Sequence, residues 1–212
     1  MVKIFYIQKL LFYDLKTKYI YSDKYEIVFL MKVPERLETK RLVLRRYVEE
    51  DINLFLNLIK NDTVNKNLNL RSNQHTPEGV KSFFSSILNS YDTLDPIFAL
   101  VIINKENKNY LGTCGLISLR ESTTVECFYA LLPLYRGNGF AIKAMLKLLE
   151  YSFEVTQIPK IVIFIHPNNT RAWKVAERIG MKYMGHIKHN NIVPKVMLFS
   201  IEEKEYKVQR FH

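Results

Sequence analysis

The stretch Pro133-Leu134-Tyr135-Arg136-Gly137-Asn138-Gly139-Phe140-Ala141 decides the fold, because it stands between a predicted strand and a predicted helix. Small residues at a helix entrance let successive backbone N–H groups approach a ligand closely. The helix dipole adds an attraction for negative charge at the same place. The N–H groups from Gly137 to Ala141 are therefore predicted to cradle a pyrophosphate. In isolation the pattern is also typical of a simple tight connection, so its neighbours decide between the two interpretations.

The residues before this stretch predict an early strand, two helices and then an antiparallel run of strands. Apolar positions at helical spacing from Ile52 to Ile59 predict the first helix, and Thr76-Pro77 predicts the start of the second, with Thr76 as N-cap. Strands are predicted at 42–44, 97–104, 110–119 and 124–131, with a hairpin loop at 105–108.

The residues after it predict a change to alternating helices and strands. An apolar stripe follows Ala141, and the apolar run Lys160–Ile165 is typical of a strand buried on both faces. A helix is expected over 169–179, ended by Gly180, with strands at 182–187 and 193–201. This order is that of a right-handed crossover between parallel strands. The sequence therefore predicts a mixed α/β sheet of six or seven strands.

Composition restricts the class of protein further. A chain of 212 residues suits one domain, and no stretch reaches the roughly 18 apolar residues of a membrane span. The net charge of +10 favours anionic partners such as a phosphorylated cofactor, a nucleic acid or a membrane surface. Cys114 and Cys127 form no metal-binding motif, so we expect a cytoplasmic protein without a metal ion.

Residues 1–30 are interpreted as an N-terminal extension of uncertain status. Apolar clusters in this segment are interrupted by charged residues, which is a poor signal-peptide pattern, and 19–30 suits an extra strand or hairpin. The phrase that begins at Met31 reads like a natural domain start. The main domain is therefore expected to span 31–212.

Several phrases together resemble the GNAT superfamily of N-acetyltransferases. Arg136, Gly139 and Ala141 match the motif [Q/R]-x-x-G-x-[G/A], and Val125-Glu126-Cys127-Phe128-Tyr129-Ala130-Leu131 is similar to the family's fourth strand. Pro167 to Met181 is similar to the family's N-x-x-[S/A] helix and its terminal E-[K/R]-x-G-[F/M]. The resemblance implies a sheet splayed at the fourth strand by a bulge, helices on both faces, and acetyl-CoA as cosubstrate.

The resemblance also implies how acetyl-CoA is held. Ala130 and Leu131 are expected to offer backbone groups to the pantetheine arm, and Leu131 to donate its N–H to the oxyanion. Arg136 is expected to cap the entrance to the site, and Asn169 to contact the pantetheine. The pyrophosphate is expected to contact five successive backbone N–H groups, those of Gly137, Asn138, Gly139, Phe140 and Ala141.

Glu126 is the candidate general base, because it matches a Glu of the branch that includes ribosomal-protein N-terminal acetyltransferases. The opening phrase Leu37 to Arg45 resembles the same branch. The alternative is that Glu126 is an ordinary strand residue or an ion-pair partner. The family's acidic Tyr is replaced by Ala176, and a Ser of the branch by Ala172. A thiol leaves readily as thiolate, so a dedicated acid is not required.

The acceptor is the least defined part of the prediction. An α-amine loses its proton more easily than lysine, which favours a protein N-terminus. A small-molecule amine is the second expectation, and a non-catalytic CoA-binding module the third. Specificity is expected in 61–74 and 189–194. A nucleic-acid partner is not expected, and the chain is expected to act as a monomer or homodimer.

Overall fold

The computed structural model describes residues 2–6, 9–14, 19–22, 27–29, 31–65, 74, 76–93, 96–119, 124–188 and 195–210. In this part of the chain, no helix combines the length and apolar content needed to cross a lipid bilayer.

The first thirty residues contribute an antiparallel sheet of their own. Its strands are β1 (Val2–Tyr6), β2 (Lys9–Asp14), β3 (Tyr19–Ser22) and β4 (Ile27–Phe29), in that spatial order. The pairing of β3 with β4 confirms the hairpin predicted within 19–30.

The second sheet has eight strands among the described residues, in the order β11-β12-β10-β9-β8-β7-β6-β5. They are β5 (Arg36–Glu38), β6 (Leu42–Arg46), β7 (Phe98–Asn104), β8 (Tyr110–Ser118), β9 (Thr124–Leu131), β10 (Lys160–Ile165), β11 (Lys182–Ile187) and β12 (Val196–Glu202). Seven of these match predicted strands. The additional strand, β5, has one apolar residue between two charged ones, too short a pattern to indicate a strand.

The described helices are α1 (Ile52–Lys60), α2 (Asp62–Asn65), α3 (Pro77–Ser90), α4 (Phe140–Glu154), α5 (Thr170–Arg178) and α6 (Glu203–Arg210). The Thr76 hydroxyl accepts a hydrogen bond from the Gly79 N–H at 3.1 Å, which confirms the predicted N-cap of α3. The segment 61–73, predicted as a loop, contains α2, and 66–73 lies outside the described residues.

Both faces of the second sheet are covered. Every residue of β7 from Phe98 to Ile102 is buried, as is every residue of β8 from Tyr110 to Leu116. Because successive side chains of a strand point to opposite faces, unbroken burial requires packing on each side. This agrees with the predicted helices on both faces.

The sheet opens into a wedge between β9 and β10. Their parallel ladder pairs Thr124–Glu126 with Lys160–Val162 and stops there, although β9 continues to Leu131 and β10 to Ile165. The predicted splay is thus confirmed. The expected bulge is absent from the ladder of β9 with β8, which runs without a register shift over the described pairs. The separation of the strands therefore does not depend on an extra residue in β9.

Candidate functional site

The entrance of α4 presents free backbone donors beside the wedge. The first hydrogen bond of the helix runs from the Lys143 N–H to the Gly139 carbonyl at 3.1 Å. The N–H groups of the six residues from Gly137 to Ile142 donate to no acceptor among the described residues. Unpaired donors at a helix N-terminus attract anions, and the helix dipole has the same effect.

The two glycines give this entrance its shape. Gly137 has φ 85° and Gly139 has φ 73°, a left-handed conformation that side chains disfavour. Gly139 is also the N-cap of α4, and it brings no side-chain oxygen to the helix. A Ser or Asp at this position would occupy one of the donors. With glycine there, the donors remain available, and this fits the pyrophosphate of acetyl-CoA.

The end of β9 supplies backbone groups that face the wedge. The Leu132 N–H donates to the Leu111 carbonyl of β8 at 2.9 Å. Hydrogen-bonded residues alternate along an antiparallel ladder, so Ala130 also faces β8, whereas Tyr129 and Leu131 face the wedge. The carbonyl of Ala130 indeed points at Gly112 of β8. The backbone groups on the wedge side are therefore those of Tyr129 and Leu131, and the contact of Ala130 with the pantetheine stays a prediction.

Arg136 connects this strand end to the loop. Its Nε donates to the Leu131 carbonyl at 3.0 Å. Partial burial, and then the neighbouring charge of Arg171, lower the pKa of the Arg136 guanidinium. The side chain thus holds the wall of the wedge and brings positive charge to its rim.

Asn169 lies at the N-terminus of α5. Its side-chain oxygen accepts a hydrogen bond from the Ala172 N–H at 3.3 Å, so it caps that helix. The amide nitrogen has no partner among the described residues, so it is available for the contact predicted with the pantetheine.

Glu126 lies at the residue pair where β9 and β10 separate. Its side chain is half-buried and has no hydrogen-bond or ion-pair partner among the described residues, contrary to the ion-pair alternative. Burial raises the pKa of the Glu126 carboxyl to about 7. A carboxylate with that pKa is suited to accept a proton near neutral pH.

Tyr129 bridges the wedge from β9 to α5. Its hydroxyl donates to the Ala172 carbonyl at 2.6 Å, and burial raises the pKa of that hydroxyl. The two positions that lack a hydroxyl, Ala172 and Ala176, lie on α5, and Ala176 is fully buried. In this arrangement the proton of the Tyr129 hydroxyl is engaged by the Ala172 carbonyl.

Two further residues with titratable side chains, Cys127 and His186, are engaged elsewhere in the fold. Burial raises the pKa of the Cys127 thiol well above its ordinary value, which leaves it an unreactive core residue. The Nδ1 of His186 is hydrogen-bonded to the Tyr183 hydroxyl at 2.6 Å on β11. His189 and the rest of 189–194 lie outside the described residues.

Three contributors to the site were missed at the level of sequence. That the Ile142 N–H is unpaired could have been inferred from the rule that the first turn of a helix has unpaired donors. The role of the Tyr129 backbone follows from strand parity, once the ladder with β8 is known. Arg41, whose guanidinium reaches the loop before α4, gives no sequence pattern that indicates the contact.

A sheet that opens beside an uncapped helix N-terminus forms a wedge in which an elongated ligand with an anionic group can bind. Comparison with known families identifies the family. Residues 41–182 match the family model described as the acetyltransferase (GNAT) domain, and the chain belongs to this family of N-acetyltransferases. Enzymes of the family use acetyl-CoA.

Individual relatives agree with this assignment. An uncharacterized N-acetyltransferase, p20, of Bacillus licheniformis is 27% identical over 186 residues, which cover 81% of this chain and 98% of that protein. The uncharacterized protein YkkB of Bacillus subtilis is 34% identical over 82 residues, or 38% of this chain, and the match spans 48% of that protein.

Solved structures show the same fold. A ribosomal-protein-S5-alanine acetyltransferase of Vibrio fischeri superposes with a TM-score of 0.67 at 18% identity, covering 81% of this chain and 98% of that one. A spermidine N-acetyltransferase of Vibrio cholerae, in complex with CoA and spermine, superposes with a TM-score of 0.66 at 20% identity. The match covers 80% of this chain and 99% of that one. At these identities the likeness establishes the fold alone.

Proposed function

We propose that the protein transfers the acetyl group of acetyl-CoA to an α-amine, most simply the N-terminal amine of a protein, with Glu126 as general base. The observation that carries this proposal is the unpaired Glu126 carboxyl at the closed end of the wedge, with a pKa of about 7. An amine attacks a thioester only as the neutral base, so the site must remove a proton from an ammonium.

The pKa of Glu126 suits an α-ammonium better than an alkyl ammonium. Proton transfer from an α-ammonium, with a pKa near 7.8, to this carboxylate is uphill by about 1 kcal/mol. From a lysine-like ammonium, with a pKa near 10.4, the transfer is uphill by about 4–5 kcal/mol. The difference supports an α-amine as acceptor, with a water molecule relaying the proton where the amine and the carboxylate are apart.

The other residues bind and orient. The donors from Gly137 to Ile142 bind the pyrophosphate, and the amide nitrogen of Asn169 contacts the pantetheine. When bound, acetyl-CoA supplies a thioester carbonyl that is open to attack by the amine, and a thiolate that departs as the amide forms. The Leu131 N–H stabilises negative charge on the carbonyl oxygen, and its direction to the wedge side of β9 supports this role.

The test compares acceptors of different basicity. Wild-type protein is given acetyl-CoA at pH 7.5 with a peptide bearing a free N-terminus, an N-blocked peptide bearing one lysine, and spermidine, and thiol release is measured. We expect the free N-terminus to have the highest kcat/KM, by roughly tenfold or more. Preference for the lysine peptide or spermidine would replace the proposed acceptor with a small or side-chain amine. CoA binding without thiol release from any amine would support a non-catalytic module instead.

A further inference from the structure

Arg41, in the turn between β5 and β6, contacts the phosphate-binding loop from 97 residues away in sequence. Its Nη2 donates to the Asn138 carbonyl at 2.7 Å, and its guanidinium lies 4.7 Å from the centre of the Phe140 ring. The same side chain therefore touches the residue before Gly139 and the residue after it.

The hydrogen bond to Asn138 fixes the orientation of one peptide group. A trans peptide is planar, so its C=O and N–H point in opposite directions. When Arg41 holds the Asn138 carbonyl, the Gly139 N–H points away from Arg41, to the opposite face of the loop. Because Gly139 has no side chain and a positive φ of 73°, little else in its own structure selects this orientation.

The backbone of Arg41 is itself held firmly. The Thr39 hydroxyl accepts hydrogen bonds from the Arg41 N–H at 3.2 Å and the Leu42 N–H at 2.9 Å. The Arg41 carbonyl accepts one from the Lys105 N–H at 2.9 Å. The guanidinium thus extends from a fixed turn, which suits a residue that positions another segment.

The charge of Arg41 is also uncompensated. The nearby Arg36 and Lys105 both form ion pairs with Glu38, whereas Arg41 has no carboxylate partner in the described part of the chain. Its positive charge therefore adds to the attraction that the loop exerts on an anion.

We propose that Arg41 is a positioning residue for cofactor binding, which holds the Asn138–Gly139 peptide so that the Gly139 N–H faces the pyrophosphate. The inference rests on the proposed use of acetyl-CoA at this loop. It adds to the loop a residue that lies outside the motif and acts through the backbone.

The experiment measures the affinities of CoA and dephospho-CoA by calorimetry for wild type, Arg41→Met, Arg41→Lys and the neighbouring control Lys40→Met. We expect Arg41→Met to weaken both ligands by about tenfold or more, since it removes a charged hydrogen bond that preorganises the site. Arg41→Lys keeps the charge and a donor and should recover part of the affinity, and Lys40→Met should bind as wild type does. Apo melting transitions check folding, and Arg41→Gln replaces Arg41→Met if the latter melts abnormally.

A double mutant with Gly139→Ala tests whether Arg41 acts through the loop. If it does, Arg41→Met should lower the CoA affinity by a much smaller factor in the Gly139→Ala background than in wild type, because the loop is already strained there. Unchanged CoA affinity in Arg41→Met, while wild type binds CoA, would overturn this inference alone. A loss confined to CoA, with dephospho-CoA unaffected, would mean direct contact with the 3′-phosphate and would also overturn it. Failure of wild type to bind CoA would remove the proposed function itself.

Discussion

The Glu126 carboxyl lies where two strands separate, half-buried and without a partner, and this placement determines both its chemistry and its cost. Burial without a hydrogen bond disfavours the charged form and raises the pKa to about 7. The carboxyl therefore ionises near neutral pH, and the same desolvation destabilises the folded protein whenever the group is ionised.

Replacing Glu126 by Gln should remove one ionisation from the pH profile of catalysis. Wild-type kcat/KM should rise as pH passes about 7, because only the carboxylate accepts a proton. Glu126→Gln should lose that step and fall by about 10²- to 10⁴-fold at pH 8. The amine ionises identically in both profiles, and Glu106→Gln, on the exposed hairpin loop, is the matched control. An unchanged profile in Glu126→Gln would show that another group is the base.

The same substitution should also change stability with pH. A carboxyl whose folded pKa is raised from 4.5 to about 7 contributes stability that is present below 4.5 and lost as pH rises through 7. Between pH 5 and 8 the wild type should therefore lose about 1–3 kcal/mol of unfolding free energy relative to Glu126→Gln. Urea unfolding of both proteins at the two pH values measures this. A wild type that gains stability relative to the variant would contradict the raised pKa.

At the scale of elements, two helices that meet the wedge differ in their N-caps. In α5 the Asn169 side chain engages the Ala172 N–H, whereas in α4 the glycine cap leaves its donors open. The first arrangement stabilises the chain, and the second leaves donors for a ligand.

Asn169 caps α5, and we propose a second role in cofactor binding that substitutions can separate from the first. Asn169→Ala should lower the unfolding free energy by about 1 kcal/mol, as should the control Thr76→Ala at the cap of α3, while Asn169→Ser keeps a cap and most of the stability. CoA affinity should fall in both Asn169 variants, because both lack the amide nitrogen, and stay constant in Thr76→Ala. Denaturant unfolding and calorimetry measure the two effects. Wild-type affinity in Asn169→Ser would show that the amide makes no contact with the cofactor.

Local patterns predicted the elements well, because they depend on neighbours in sequence. The Thr76 cap, the buried run of β10 and the glycine entrance of α4 all lie where the residues indicated. The backbone direction of Ala130 could not be predicted in this way, because the residues whose backbone groups face a neighbouring strand depend on the register with β8. Register is a property of a pair of strands, and the sequence of one strand alone does not determine it.

At the scale of the whole molecule, the site combines segments that the sheet brings together. The turn at Arg41, the end of β9, the loop before α4 and the start of α5 supply its parts. Contacts such as that of Arg41 with Asn138 join residues 97 positions apart, and no periodicity in the sequence indicates them. The fold could be predicted, whereas this part of the site required the three-dimensional arrangement.

We propose that the boundary of the catalytic unit lies near Met31. Met31 and Val33 are buried, and the Val33 carbonyl accepts a hydrogen bond from Arg46 at 2.8 Å, so the chain from 31 onward is part of the main domain. The strands before it pair only with one another in the described ladders. The two sheets are therefore expected to be separable.

Deletion of residues 1–30 tests this division. A chain of 31–212 should melt within about 2 °C of the full chain and bind CoA equally well, since no ladder of the second sheet is lost. A chain of 39–212 also loses Met31, Val33 and β5, and should melt roughly 6–12 °C lower, because two buried side chains are removed from the core. Thermal melting gives the melting temperatures of the three chains, and calorimetry gives their affinities for CoA. If 31–212 melts as low as 39–212, the first sheet stabilises the catalytic domain, and 1–30 is an integral layer of the fold.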